Sequence, residues 1–291
     1  MRCYRNFSLF YICLAFILNT NQSAAYSQST NVSFDKVTIK DGLSQSTVNS
    51  IIQDKHGFMW FATYGGLNKY DGYSFTVYQN DESDSTSIGN NNSELLFEDK
   101  DGFIWIVNNG NDGLERFNPA SGKFQRIRHD ANDPNSISSN TLHHVFQDSK
   151  DNIWVIADNT LNLVIKDKDA EAKVRFKRYP TPGYNITRVF EDSKGNLLLI
   201  GSRLYYFDRD KETFTPSISI PADRIISYVE DKNGDIILGS FAQGVIKLEW
   251  DRSSSSYRLG DNSQINPTPT NRCTVVLDDF GNLWIGTETR G

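Results

Sequence analysis

The sequence is poor in cysteine and histidine, the residues on which disulfide frameworks and many metal sites depend. Two of its three cysteines, Cys3 and Cys13, lie near the N-terminus, so Cys273 has no disulfide partner in the rest of the chain. The four histidines lack metal-ligand spacing, and His143 and His144 are adjacent, which places them on opposite faces of a strand. We therefore predict no metal and no cofactor.

Long hydrophobic runs are also scarce. Arg2 and Arg5 precede an apolar stretch at residues 7–18, and small and polar residues follow it. This pattern indicates a secretory signal peptide over residues 1–27, because a membrane-spanning helix needs roughly 18 or more apolar residues. An uncleaved anchor is the alternative. No later segment is apolar for long enough to cross a bilayer, so we expect an exported, periplasmic chain with no membrane span after the signal peptide.

Positive charge is in deficit. The formal net charge is −6, and removal of Arg2 and Arg5 with the signal peptide makes it −8. Because phosphate backbones repel an acidic chain, nucleic acid is not expected as a partner of this segment. Sustained helical periodicity is absent as well, which favours β-structure throughout.

The sequence does contain a repeat of about 45 residues. Each unit has an aspartate, then Gly or Asp three positions later and, in four units, Trp six positions later. The aspartates are Asp54, Asp99, Asp148, Asp192, Asp231 and Asp278, and the tryptophans are Trp60, Trp105, Trp154 and Trp284. In units four and five the Trp position holds Leu198 and Ile237. The spacing predicts hairpins in which Asp caps the turn and glycine supplies positive φ.

The strand that carries the Trp position is apolar on both sides of it, as at Ile104 and Ile106. Since side chains alternate across a strand, both faces of each sheet must be covered. Stacked β-propeller blades cover both faces, and a period near 45 residues is typical of a four-stranded blade. We predict an all-β propeller over residues 47–291, with five complete blades and half of a sixth.

The two ends of the chain bear on how such a propeller closes. Residues 28–46 are predicted to be an N-terminal extended segment, in which residues 34–39 are a candidate closing strand. The sixth unit stops before its third and fourth strands. We therefore expect this sequence to be a fragment of a longer one.

Two features of the repeat have a chemical alternative. The turns at residues 99–102 and 231–235 could be calcium loops, but no unit supplies the full oxygen set and every unit needs the cap. The tryptophans could be sugar-stacking platforms, but a residue that recurs at one strand position between apolar neighbours indicates packing between blades. We predict capping and packing.

The first unit resembles the two-component regulator propeller repeat. The resemblance rests on residues 41–44, 53–54, 57–63 and 65–72 together with Val48 and Ile51. It covers about residues 33–291, and Leu198 and Ile237 in place of Trp are departures from it.

The resemblance implies the N-terminal periplasmic sensor propeller of a hybrid two-component system histidine kinase. Such receptors carry two propellers, a β-sandwich, a transmembrane helix, a kinase, a receiver and a DNA-binding domain. The implied partners are the missing C-terminal propeller and kinase parts, a second receptor in a homodimer, and an oligosaccharide. Detection of the oligosaccharide would control polysaccharide-utilisation genes through a phosphorelay across the inner membrane. The segment itself would not be an enzyme.

Two other functions remain open from the sequence. Residues 148–154 would pass for a repeat of the lactonase and streptogramin-lyase propellers, which need metal ligands or a catalytic histidine on the upper face. For that role His143 or His144 near the axis is the best candidate, although a structural histidine is the favoured interpretation. A protein-docking scaffold is the other alternative, and a flat apolar rim without a pocket would support it.

The loops between second and third strands open on the side opposite the Asp-capped turns, and they are rich in groups that bind sugars. From these loops we select Tyr64, Asn109, Asp112, Arg203 and Arg290 as candidate ligand-binding residues. Tyr64 offers a ring face, and the arginines suit an acidic sugar. Arg203 replaces the Gly-Gly corner of other units, which predicts a charge near the axis.

Overall fold

The structure, a computed structural model, describes residues 36–165, 167, 172–222, 224–261 and 272–287. Residues 1–27, which are predicted to be a signal peptide, residues 28–35 and Arg290 lie outside these ranges. From Val48 onward the described chain forms five four-stranded antiparallel sheets and one two-stranded sheet, each with its strands paired in chain order. The predicted all-β propeller, with five complete blades and half of a sixth, is confirmed.

The twenty-two strands fall into six consecutive blades. Blade 1 comprises β1 (Val48–Gln53), β2 (Met59–Thr63), β3 (Gly66–Tyr70) and β4 (Phe75–Tyr78). Blade 2 comprises β5 (Ser93–Glu98), β6 (Ile104–Asn108), β7 (Leu114–Asn118) and β8 (Lys123–Ile127). Blade 3 comprises β9 (Leu142–Gln147), β10 (Ile153–Ala157), β11 (Thr160–Ile165) and β12 (Arg175–Pro180).

The remaining blades continue the series. Blade 4 comprises β13 (Arg188–Glu191), β14 (Leu197–Ile200), β15 (Arg203–Asp208) and β16 (Thr213–Ser219). Blade 5 comprises β17 (Ile225–Glu230), β18 (Ile236–Ser240), β19 (Val245–Asp251) and β20 (Ser256–Leu259). The half-blade 6 comprises β21 (Cys273–Leu277) and β22 (Leu283–Thr287).

The segment before blade 1 differs from the prediction where it is described. Residues 36–38 form no strand, and Ile39–Asp41 is a single turn of 3-10 helix. The Thr38 side chain accepts from Lys40 N–H while the Asp41 carboxylate accepts from Thr38 N–H, and Gly42 ends the turn at φ 107°. This reciprocal cap stabilises the turn at residues 39–41, and residues 34–35 of the predicted closing strand lie outside the described residues. Among the described residues, no helix is long and apolar enough to cross a membrane.

The hydrophobic core consists of five clusters, each between two neighbouring blades. Trp60, Trp105 and Trp154 lie in successive clusters and are at most 2% exposed. The second strands of blades 2 to 5, β6, β10, β14 and β18, are buried along their whole length, because a blade covers each face. The predicted packing role of these tryptophans is confirmed. Trp284, on the last described strand, is 50% exposed.

In the four units that contain the tryptophan, the anchoring aspartate both caps the turn and binds the indole. In blade 2, Asp99 Oδ1 accepts from Phe103 N–H at 3.0 Å, which caps the hairpin turn as predicted. Its Oδ2 accepts from the indole Nε1–H of Trp105 at 2.7 Å, and the same bond recurs at Trp60, Trp154 and Trp284. The spacing of six residues therefore connects the turn to the tryptophan packed between blades.

Blade 4 shows how the structure compensates for a missing tryptophan. Leu198 has no donor for Asp192, and the Tyr257 hydroxyl of blade 5 donates to Asp192 Oδ2 instead, at 3.0 Å. Asn196 Nδ2 donates to the same oxygen at 2.9 Å. The buried carboxylate thus keeps its hydrogen bonds, as buried polar groups must.

Hydrogen bonds also connect successive turns around the axis. The residue before each anchoring aspartate accepts from the N–H of the residue after the aspartate in the preceding blade. The donor and acceptor pairs are Lys55 and Glu98, Lys100 and Gln147, Ser149 and Glu191, and Ser193 and Glu230. Leu277 occupies this position in blade 6 and cannot accept. These bonds fix the angle between blades and so define the space at the axis.

Candidate ligand cavity at the propeller axis

The inner ends of the blades enclose a cavity of about 400 Å³ at the face opposite the Asp-capped turns. All six blades contribute to its lining. Its polar and aromatic lining residues include Asn49, Tyr64, Glu94, Asn109, His143, Arg188, Arg224, Phe241, Arg272 and Thr274. A concave site with several convergent polar groups is typical of ligand binding.

Four β-bulges shape this lining. In β1, β5, β9 and β17 one residue is skipped in the pairing with the neighbouring strand. The skipped residues are Asn49, Glu94, His143 and Ile226, and all four line the cavity. Each lies five positions before the anchoring aspartate of its blade. A bulge re-aims a side chain without shifting the rest of the strand, which is how the cavity acquires polar side chains beside a hydrophobic core.

Positive charge predominates in the cavity. Arg188, Arg224 and Arg272 line it, and Glu94 is the one carboxylate among its described lining residues. Arg224 of blade 5 lies 3.5 Å from the Glu94 carboxylate of blade 2, so this ion pair bridges two blades that are not neighbours. This excess of positive charge contrasts with the formal net charge of −6 for the whole chain.

The Arg188 guanidinium connects three blades. It donates to the backbone oxygens of His143 in blade 3 at 3.2 Å, of Thr187 at 2.7 Å and of Ile226 in blade 5. Burial lowers the pKa of Arg188 to about 10, so the group is still charged near neutral pH. Within the described residues no carboxylate forms an ion pair with it.

The two adjacent histidines have different surroundings. His144 is buried, and its Nδ1 accepts from Val189 N–H of blade 4 at 3.4 Å while its ring lies edge-on to Tyr228. Burial lowers the pKa of His144 well below its usual value, and Arg188 lowers it further. His144 is therefore a structural residue between blades. His143 lines the cavity, and burial followed by the charge of Arg224 lowers its pKa as well.

We expect the free energy of unfolding to fall between pH 7 and pH 5. An unfolded histidine, with a pKa of about 6.5, binds a proton in this range, whereas folded His144 resists protonation, so acid favours the unfolded state. His144→Gln, whose amide oxygen can still accept from Val189 N–H, should flatten this pH dependence. Denaturant titrations at several pH values measure the slope, with the exposed turn residue His56→Gln as control. An unchanged slope in His144→Gln would contradict the assignment.

Two of the five predicted ligand-binding residues line the cavity. Tyr64, in the β2–β3 loop, is 47% exposed, and Asn109 lies in the β6–β7 loop. Phe241, in the β18–β19 loop, adds a second exposed aromatic ring. The predicted face is therefore the one on which the cavity opens.

Asp112 and Arg203 do not line this cavity, and Arg290 lies outside the described residues. The Asp112 carboxylate accepts from the Asn90 side chain and so holds its own loop in place. The prediction that Arg203 lies near the axis is wrong. Arg203 opens β15 opposite Ser219 of β16, and its guanidinium donates to Ser217 O and Ser219 Oγ on that outer strand.

Sequence reasoning missed the charged groups of the cavity, namely Glu94, Arg188, Arg224 and Arg272. They lie near the start of the inner strands and not in the loops from which candidates were selected. A signal was present, because the residue five positions before the anchoring aspartate interrupts the apolar pattern as Asn49, Glu94 and His143. Such an interruption can be recognised as a bulge only when the pairing with the neighbouring strand is known.

In the described part of the chain, five four-stranded blades, an Asp-capped turn in each unit and a polar cavity at the axis define a β-propeller with a candidate ligand site. Residues 42–65 match the family model of the two component regulator propeller. This match lies in the first of the six units, and there the chain is similar to the two-component regulator propeller repeat.

Three relatives extend this comparison. Over 84 residues the chain is 45% identical to Histidine kinase P4 of Formosa agariphila, a match that spans 29% of this chain and 6% of that protein. The extracellular domain of a hybrid two component system from B. thetaiotaomicron is 25% identical at a TM-score of 0.50, with 87% of this chain and 40% of that chain covered. Virginiamycin B lyase from Staphylococcus aureus shares the fold at 13% identity and a TM-score of 0.61, with coverage of 82% and 77%. The chain thus spans a small part of the curated relative's length.

Proposed function

We propose that this chain is the periplasmic ligand-sensing propeller of a hybrid two-component sensor and that it binds an oligosaccharide in the axial cavity. Binding would be signalled across the inner membrane by kinase parts of the same receptor to control polysaccharide-utilisation genes. Tyr64, Phe241 and Asn109 at the mouth would contact the sugar rings and hydroxyls.

One observation carries the proposal. Four inner strands have a bulge at the same position, and each bulge directs one residue into the cavity. A propeller needs no bulge to pack its blades, since β13 and β21 pair with their neighbours without one. Bulges next to a polar cavity are typical of binding sites, where they position side chains for a ligand.

The enzyme and scaffold alternatives receive less support. A metal-dependent lactonase needs clustered metal ligands, and among the described residues no group of three His, Cys, Asp or Glu side chains could hold a metal ion. A lyase needs a catalytic histidine, for which His143 in the cavity is the remaining candidate. The likeness to virginiamycin B lyase, at 13% identity, concerns the fold alone. A scaffold would present a flat apolar rim, whereas this face has a polar cavity.

The proposal predicts that Tyr64→Ala and Asn109→Ala each weaken binding of the cognate oligosaccharide by about tenfold, because each removes a stacking surface or hydrogen bonds from the cavity mouth. Calorimetric titration against a panel of oligosaccharides measures the affinities. Tyr73→Ala is the matched control, since Tyr73 is 95% exposed in the β3–β4 turn on the opposite face. Wild-type affinity in both cavity variants would place the site elsewhere.

A further inference from the structure

We infer that the axial cavity selects an anionic ligand, a sugar bearing a carboxylate or sulfate group, and that Arg188 and Arg224 bind that group. That the ligand is a sugar rests on the proposed function. That the ligand is an anion rests on the charged residues that line the cavity.

The first argument is the balance of charge. Among the described lining residues, three are arginines and one is a glutamate, around a cavity of about 400 Å³. Neutral hydroxyls need both donors and acceptors around them, whereas guanidinium groups can only donate. A neutral sugar brings no negative charge to these guanidinium groups in a partly desolvated space, whereas a carboxylate or sulfate does.

The second argument is the position of Arg188. Its guanidinium is held by backbone oxygens from three blades and, among the described residues, has no carboxylate partner. Keeping an unpaired buried cation is costly for the free protein. The three carbonyl contacts fix the orientation of the group, so its charge is preorganised towards the cavity that it lines.

The third argument is that Arg224 has an exchangeable partner. The Arg224–Glu94 contact is 3.5 Å long, and both side chains are partly exposed, at 51% and 41%. Such a pair is weak, and a ligand anion can compete for the guanidinium. Phe241 N–H donates to the Arg224 backbone oxygen at 2.9 Å, which ties the position of Arg224 to the aromatic residue at the mouth.

The experiment measures binding of galactose, galacturonate, galactose 6-sulfate and inorganic sulfate at constant ionic strength, by calorimetry and by the shift in melting temperature. We expect the two acidic sugars to bind at least about tenfold tighter than galactose. Whichever of the two acidic sugars binds more tightly shows whether the site prefers a uronate or a sulfate ester. Arg224→Gln should lose most of this preference, and Arg188→Met should lose it if that variant folds.

Arg203→Gln is the control, because Arg203 contacts the outer strand of blade 4 instead of the cavity. Equal affinity for galactose and both acidic sugars would overturn the inference while leaving the proposed function standing. If no sugar binds but inorganic sulfate protects the wild type more than Arg224→Gln, the anion site is supported and the carbohydrate function is not. Equal protection of both proteins, without sugar binding, would overturn both.

Discussion

Replacing Trp105 with alanine is expected to lower the free energy of unfolding by about 3–5 kcal/mol. The indole is 1% exposed and lies in the core cluster between blades 2 and 3, so its removal leaves a cavity between two sheets. It also leaves Asp99 Oδ2 without the 2.7 Å hydrogen bond from Nε1. Equilibrium denaturation of the wild type and the variant measures the difference.

Trp284→Ala is a matched control for this result. Trp284 has the same place in the repeat, and its Nε1–H donates to Asp278 Oδ2 at 2.9 Å, but half of its surface is exposed. We expect a smaller loss, about 1–2 kcal/mol, because half of the Trp284 surface is already in contact with water. Similar losses in the two variants would show that the hydrogen bond to aspartate, and not packing between blades, dominates the contribution of the tryptophan.

Arg209→Ala is expected to destabilise the fold by about 3 kcal/mol. Arg209 Nε lies 3.0 Å from Asp148 Oδ2 of blade 3, and Arg209 Nη2 lies 2.7 Å from Glu191 Oε1 of blade 4. The arginine side chain is 14% exposed and the two carboxylates are 0% and 8% exposed, so the truncation leaves two nearly buried negative charges without their partner. The same denaturation experiment measures the loss.

A second ion pair provides the comparison. Lys100 of blade 2 contacts the Asp151 carboxylate of blade 3, but these side chains are 59% and 54% exposed. Water solvates both charges when the pair is broken, so Lys100→Ala should cost less than about 1 kcal/mol. If Arg209→Ala costs no more than Lys100→Ala, the buried pair does not hold blades 3 and 4 together.

The sequence predicted the architecture because each blade repeats the same local chemistry. The turn at Asp99, the inward position of Trp105 and the number of blades all follow from spacing within about 45 residues. The contact between Tyr257 and Asp192 could not be predicted in this way. It joins residues 65 positions apart and depends on how closely two blades approach.

The candidate site was predicted less completely. The face was correct because antiparallel strands alternate their turns between two ends, and Tyr64 and Asn109 followed from that rule. Arg203 was misplaced because its side chain follows the neighbouring outer strand, a direction that a strand pattern does not specify. The bulged residues were missed because an extra residue is recognisable only from the register of two paired strands.

The inner strands must pack against neighbouring blades and must also supply polar side chains to the cavity. The bulges allow different residues to meet these two requirements. The paired residues of these strands keep their alternation and carry the apolar packing between blades. The bulged side chains add polar contacts to other blades, such as Asn49 Nδ2 to Ser93 O and Glu94 to Arg224. The bulged residues accordingly include an amide, a carboxylate, an imidazole and an aliphatic chain, at Asn49, Glu94, His143 and Ile226. Mutation at these four positions can therefore change the chemistry of the cavity while the core is left intact. A propeller of this design can diversify its recognition by point mutation without first having to be stabilised.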